Sequence, residues 1–212
     1  MDHNKIAVDL FNKLAETYQE KYGDVGLYRR ALDTFCSLLG PSASVLEVAC
    51  GPGNVTRYLL NKRPDLKVTA TDLASNMVRL ASSNNPEATV SLLDGRNIKS
   101  LNSRYNAVMC SFMLPYLNLQ EAQQFISDAA DILHPGGILY LSTMEDSEHT
   151  SEWKKGSSGD SVLMHYHSLA LFEQELQKKE MKIIFSENIQ HPTQVNTTTL
   201  DLILIAELNH KI

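Results

Sequence analysis

The chain has 212 residues, 43% hydrophobic and 21% charged, with a formal net charge of −6; this is a globular composition with enough length for a substantial core, not a disordered one. No block of Lys or Arg appears. Neutralised phosphates supply most non-specific nucleic-acid affinity, so neither nucleic acid nor an anionic membrane surface is an expected partner.

Residues 5–22 carry Ala7, Leu10, Phe11, Leu14, Ala15, Tyr18 and Tyr22 along one stripe, the spacing of an amphipathic helix. A second helical stripe runs from Tyr28 to Leu39 and stops at Gly40-Pro41, so residues 1–40 read as a helical cap. Strands are then predicted near 45–49, 67–71, 89–93, 106–110 and 137–142, with helices near 54–61, 75–83 and 119–133. Asn118 and Glu121 suit the N-cap and N3 positions of the last of these, and His134-Pro135-Gly136-Gly137 closes it. Residues 144–164 are polar and read as a long surface insertion, the body of a 144–167 lid. A helix follows a Ser168 cap, and two closing strands near 181–189 and 200–207 are joined by a loop with Pro192 too short for a crossover helix, so they should pair antiparallel. Cys36, Cys50 and Cys110 fit neither a disulfide framework nor a metal site, and no stretch reads as a leader or as the ~20 apolar residues of a membrane span. A single cytoplasmic domain, 1–212, is the expectation; oligomeric state is not legible.

Chemistry concentrates at the strand ends. Val45-Leu46-Glu47-Val48-Ala49-Cys50-Gly51-Pro52-Gly53 is an apolar run that carries an acid and breaks into a glycine turn. Asp72 and Asp94 close the next two apolar runs. Ligands of open α/β sheets bind outside the carboxyl ends of the strands, so acids there describe a pocket for a cationic, ribose-bearing molecule. Asp72 has two readings: a bidentate acceptor for ribose hydroxyls, or an acid favoured by a helix N-terminus. A dinucleotide loop would want glycine where the chain has Thr56, and its phosphates would be repelled by Glu47.

Together these residues resemble the class I S-adenosylmethionine-dependent methyltransferases over about residues 41–143. Glu47 to Gly53 is similar to that family's first motif, and Leu93-Asp94-Gly95 to its adenine-reading turn. Tyr105 to Phe112 is similar to its fourth strand, and Leu133 to Leu141 to its fifth. The resemblance implies an α/β, three-layer Rossmann-like fold, with a seven-stranded, mostly parallel sheet containing one antiparallel strand. It implies S-adenosyl-L-methionine as cofactor and a small-molecule acceptor. Carried over, Glu47, Ala49, Cys50, Gly51 and Gly53 would face the methionine end. Asp72 and Leu73 would face the ribose, Asp94, Gly95 and Arg96 the adenine, and Ser111 and Phe112 the sulfonium.

The acceptor side is less specific. Tyr116 reads either as pocket lining or as packing, as do Tyr18 and Tyr22. His165 and His167, after the insertion, read either as a general base or as bonded edge residues. The rival functions are a non-catalytic binding module and a nicotinamide-dependent oxidoreductase.

Overall fold

The protein's structure, a computed structural model, describes residues 3–145, 150–155, 159–190 and 200–210. Five parallel strands come first: β1 (Ser44–Val48), β2 (Lys67–Asp72), β3 (Thr89–Leu92), β4 (Tyr105–Ser111) and β5 (Leu133–Glu145). They join β8 (Met181–Ile189) and β9 (Leu200–Leu208) in a seven-stranded sheet of order β3-β2-β1-β4-β5-β9-β8. Strand β9 runs antiparallel to both neighbours, β5 and β8, and is the one reversed strand. The closing pair therefore has the orientation expected from its short connection, although that loop with its Pro192 lies outside the described residues.

Alternation of side chains across the pleat fills both faces of the sheet. On one face Leu46, Val108, Leu139 and Leu204 pack with Phe125, Ile126 and Ala129 of α6 (Leu119–Asp131) and Phe172 of α7 (Leu169–Lys178). On the other, Val45, Met109, Tyr140 and Ile205 pack with Leu32 and Phe35 of α3 (Arg29–Leu38) and Leu59 of α4 (Asn54–Lys62). Each fully buried aliphatic or aromatic side chain of this kind contributes about 1.5–3 kcal/mol. Helix α5 (Ser75–Asn84) carries Met77 and Leu80 against Ala15 and the half-buried Phe11 and Tyr18 of the cap.

Two expectations change. The stripe over 5–22 forms two helices, α1 (His3–Lys13) and α2 (Ala15–Tyr22), because Leu14 leaves the helical region at φ −102°, ψ 16°. The insertion holds a hairpin of β6 (Ser151–Lys155) and β7 (Ser161–His165). All of β6 is exposed and only Met164 of β7 is buried, so the pair lacks the apolar alternation by which strands are recognised. The parts of the insertion at 146–149 and 156–158 lie outside the described residues. The capping box at α6 is complete, with Glu121 N donating to Asn118 Oδ1 (3.0 Å) and Asn118 N to Glu121 Oε2 (3.0 Å). Ser168 caps α7 through Leu171 N.

Candidate active site

The chain turns sharply out of β1. Ala49 (φ 55°), Gly51 (φ 55°) and Gly53 (φ 84°) all adopt left-handed backbone. For Ala49, and for Phe112 (φ 57°) after β4, that conformation costs about 1–3 kcal/mol and must be held by its surroundings. Asp72 supplies part of the hold: Gly51 N donates to its Oδ2 (2.8 Å) and Ala74 N to its Oδ1 (2.8 Å). One carboxylate thus ties the turn after β1 to the start of α5. Burial raises its pKa, opposed by those backbone N–H groups. At Phe112 the hold is Ser142, whose carbonyl and Oγ accept Phe112 N at 3.2 and 3.1 Å.

Glu47 is almost fully buried at 1% exposure, and Thr56 Oγ1 of α4 donates to its Oε2 (2.5 Å). Pleat alternation points it with Val45 toward α4, which is why Thr56 reaches it. Desolvation pushes its pKa up to about 8, against the Thr56 hydrogen bond, and the neighbouring Asp72 charge adds to the rise.

Two adjoining lobes open at this carboxyl edge, at the switch point between β1 and β4 where ligands of open α/β sheets sit. The first is walled by Asp72, Leu73, Leu93, Asp94, Gly95 and Met113, and Ala7, Val8 and Phe11 of α1 close over it. The second runs from Glu47 and Cys50 past Val25 and Tyr28 to Met144, Met164 and Asp201. Tyr18, Ala49, Gly51, Ser111, Phe112 and Tyr116 belong to both. Among the described residues lining the two lobes, five are acidic (Asp24, Glu47, Asp72, Asp94 and Asp201) and none is Lys, Arg or His.

Residues 45–137 match a family model described as a methyltransferase domain. The fold agrees with that match: the chain superposes on structures such as the DhpI–SAH complex (TM-score 0.74, 18% identity, 99% of this chain and 98% of that one). Over residues 45–137 the chain is thus similar to the S-adenosylmethionine-dependent methyltransferases, whose fold it shares. Magnesium protoporphyrin IX methyltransferase from Synechocystis PCC 6803 with bound SAM aligns similarly (TM-score 0.72, 18% identity, 98% and 97% covered). Among curated relatives, a malonyl-[acyl-carrier protein] O-methyltransferase of Priestia megaterium is 29% identical over 147 residues, 68% of this chain and 53% of that protein. A ubiquinone biosynthesis O-methyltransferase of Xanthomonas campestris pv. campestris is 34% identical over 110 residues, 49% of this chain and 44% of that protein. The chain spans about half the length of these curated relatives.

Against the motif positions of the family it resembles, the chain gathers most of the expected residues and sets others apart. Asp72, Leu73, Asp94 and Gly95 line the first lobe, Glu47 and Cys50 the second, and Ala49, Gly51, Ser111, Phe112 and Tyr116 the shared wall. The three acids therefore do not share one hollow; they flank two that adjoin. Gly53 lies in neither wall. A Cβ there would meet Asn85 Nδ2 and Ala81, so its role is close helix packing. Arg96 also stands outside both lobes, with its guanidinium on Asp94 (2.7 Å) and Glu121 (3.0 Å).

The two histidines are outside as well. His167 is buried, and its Nε2 donates to the carbonyls of Leu114 (3.2 Å) and Leu117 (3.0 Å), so it braces the turn after β4. His165 Nδ1 pairs with Ser151 Oγ (2.7 Å) across the hairpin and borders a separate hollow with Arg96 and Glu121. Desolvation lowers its pKa. Tyr116 and Tyr18 serve both packing and lining: Phe11 lies edge-on to Tyr116 (5.1 Å) and to Tyr18 (5.7 Å). Burial pushes the Tyr18 phenol up to about 12.

Tyr28 and Asp201 are functional candidates that sequence reasoning missed. Tyr28 Oη donates to Asp201 Oδ2 (2.8 Å), and Asp201 is 1% exposed. The signal was present: Asp201 is a lone acid at the head of the apolar run Leu202 to Ala206.

Proposed function

We propose that the chain is a methyltransferase that uses S-adenosyl-L-methionine to methylate a small-molecule acceptor. The single observation that carries this reading is the two-lobed hollow at the β1/β4 switch point, walled by five acids with no lysine, arginine or histidine among its described residues. A cationic sulfonium and ammonium suit such walls. A pyrophosphate would face like charge without a cation to offset its desolvation, which disfavours a nicotinamide dinucleotide.

In this reading Asp72 and Leu73 hold the ribose, and Asp94 with Gly95 borders the adenine. Asp94 meets the ligand already paired with Arg96, so it orients more than it attracts. Glu47 and the Ala49–Gly51 turn receive the methionine end, while Ser111 and Phe112 stand at the join of the lobes. When bound, S-adenosylmethionine supplies an activated methyl group, and the chain's task is to exclude water and align the acceptor, an effect worth roughly 7–11 kcal/mol of barrier. Exclusion of water is supported by α1, which caps the first lobe and is held against the β6–β7 hairpin by a His3–Trp153 ring contact (5.6 Å) and a Lys13–Asp160 ion pair (3.0 Å). We read α1 of the 1–40 cap and the described hairpin of the 144–167 lid as closing over the 41–143 core, with β8 and β9 of the 168–212 segment completing the sheet. All three cysteines are buried and none forms a disulfide, which suits a cytoplasmic setting. No helix among the described residues is long and apolar enough to cross a membrane.

Thermal shift with S-adenosylhomocysteine and with NAD⁺ tests the assignment. At about 100 times its dissociation constant a ligand adds about 2.7 kcal/mol, or roughly 5–11 °C for a chain of this size. S-adenosylhomocysteine should give that rise; a rise with NAD⁺ alone would refute it.

A further inference from the structure

The second lobe carries information about the acceptor, in an argument that rests on the methyltransferase reading above. It encloses about 260 Å³. Its walls away from the shared boundary are largely apolar, with Val25, Leu27, Pro115, Met144 and Met164, and with the Tyr28 ring tilted against Phe112 at 5.2 Å.

Into this apolar surround the fold sets two deeply buried acids, Glu47 on the cofactor side and Asp201 on β9. Strand β9 runs opposite to its neighbours, so its head lies at the carboxyl edge, and Asp201 pairs in register with Met144 at the end of β5. Pleat alternation puts Asp201 on the same face as Ile203 and Ile205, the face covered by α3, just after Tyr28. Tyr28 Oη donates to Asp201 Oδ2 at 2.8 Å and so fixes the orientation of the carboxylate. Asp24 and Glu47 are the other acids of this lobe, and its described lining residues include no cation.

We propose that this lobe admits a neutral or cationic acceptor with a mainly apolar skeleton, its reacting N–H or O–H held by Asp201. A carboxylate only accepts hydrogen bonds, so it pairs with an N–H or O–H and repels a carboxylate or phosphate ester. An acyl-chain carboxylate such as a malonyl group would enter against like charge and lose its hydration with no arginine to replace it. In the reaction, the acceptor lone pair forms the new bond to the methyl carbon and the C–S pair leaves on sulfur. The acceptor's proton passes to the Asp201 carboxylate, leaving S-adenosylhomocysteine, methylated acceptor and a protonated Asp201 that returns its proton to solvent after product release. Tyr28 is a positioning residue in this scheme.

The test uses the full chain saturated with S-adenosylhomocysteine, titrated calorimetrically with tyramine and with 3-(4-hydroxyphenyl)propionate. These share a ring and chain length but carry opposite charge. Tyramine should bind at least about tenfold more tightly, and Asp201→Asn should remove about tenfold of its affinity, as expected for a hydrogen bond to a charged group. Tyr28→Phe should weaken tyramine less while S-adenosylhomocysteine uptake persists. Equal or tighter binding of the propionate, no binding of either probe, or a preference that survives Asp201→Asn overturns the proposal. The wild-type comparison stands even where a variant does not fold. The preceding S-adenosylhomocysteine titration separates the two readings: no uptake removes both, whereas uptake without the charge preference removes only the acceptor assignment.

Discussion

Glu47→Gln isolates the energetic consequence of a buried acid in the cofactor wall. Desolvation lets Glu47 keep its proton up to about 8 in the folded chain, against an ordinary value of 4.5. Folding therefore takes up a proton between those values, and stability falls as pH rises through them. The stability is fully present below 4.5 and its loss is complete above about 8. From pH 5 to about 7.5 the linkage amounts to about 3 kcal/mol at 1.36 kcal/mol per pH unit, or roughly 6–12 °C in Tm for a chain of this size. Glutamine keeps an acceptor for Thr56 Oγ1 but cannot ionise. Melting curves of wild type and Glu47→Gln should nearly coincide at about pH 5 and separate steadily towards pH 8, the variant being the more stable. Other groups titrate in both proteins and cancel in the difference. Parallel curves across that range would refute the reasoning. An incoming ammonium favours ionised Glu47, so binding of S-adenosylhomocysteine at pH 7 should release protons from wild type and not from the variant; buffers of different ionisation enthalpy measure this.

Asp72→Ala should lose both cofactor affinity and stability, because it strands the Gly51 and Ala74 N–H groups; at about 1–3 kcal/mol per orphaned donor the loss is roughly 2–6 kcal/mol, and calorimetric melting beside S-adenosylhomocysteine titration reads both. Gly53→Ala puts a Cβ against Asn85 and Ala81 at φ 84° and should cost roughly 2–4 kcal/mol, with S-adenosylhomocysteine affinity retained in whatever fraction folds by denaturant titration. His167→Ala should destabilise by about 1–3 kcal/mol, because it takes the Nε2 donor from the Leu117 carbonyl and leaves the Leu114 carbonyl with Leu117 N alone, whereas His165→Ala on the hairpin should stay within about 0.5 kcal/mol. A reversed order in thermal melting would show that the histidine assignments are wrong.

Most of the sheet was legible because its strands are short apolar runs closed by acids or glycines, and because α6 announces itself with an Asn118–Glu121 box. The cofactor side was legible for the same reason: Glu47, Asp72 and Asp94 recur at the ends of consecutive strands. What escaped depends on partners far apart in the chain. Asp94 stands two residues from Arg96, but nothing near them says that Glu121 joins the pair and holds the guanidinium away from both lobes. His165 and His167 differ by two residues, yet the first lies on the hairpin and the second under the turn at 114–117. Local spacing gave no means of separating them. Tyr28 and Asp201 are 173 residues apart, and only the reversal of β9 brings them to one edge.

That reversal has a consequence for how the chain divides its labour. Every residue assigned here to the ribose, adenine and methionine ends lies between Glu47 and Gly95, within the stretch that matches the methyltransferase-domain family model at 45–137. Beyond its wall of Glu47, Cys50, Pro52, Asn54, Val55 and Pro115, the neighbouring lobe is written elsewhere, at Val25, Leu27 and Tyr28 before that stretch and at Met144, Met164 and Asp201 after it. A backward-running final strand delivers its first side chain to the same rim that forward strands reach with their last. Loading of the methyl donor and choice of its recipient are thus encoded in separable text, and grafting the two flanks onto another core of this family should carry the recipient preference with them.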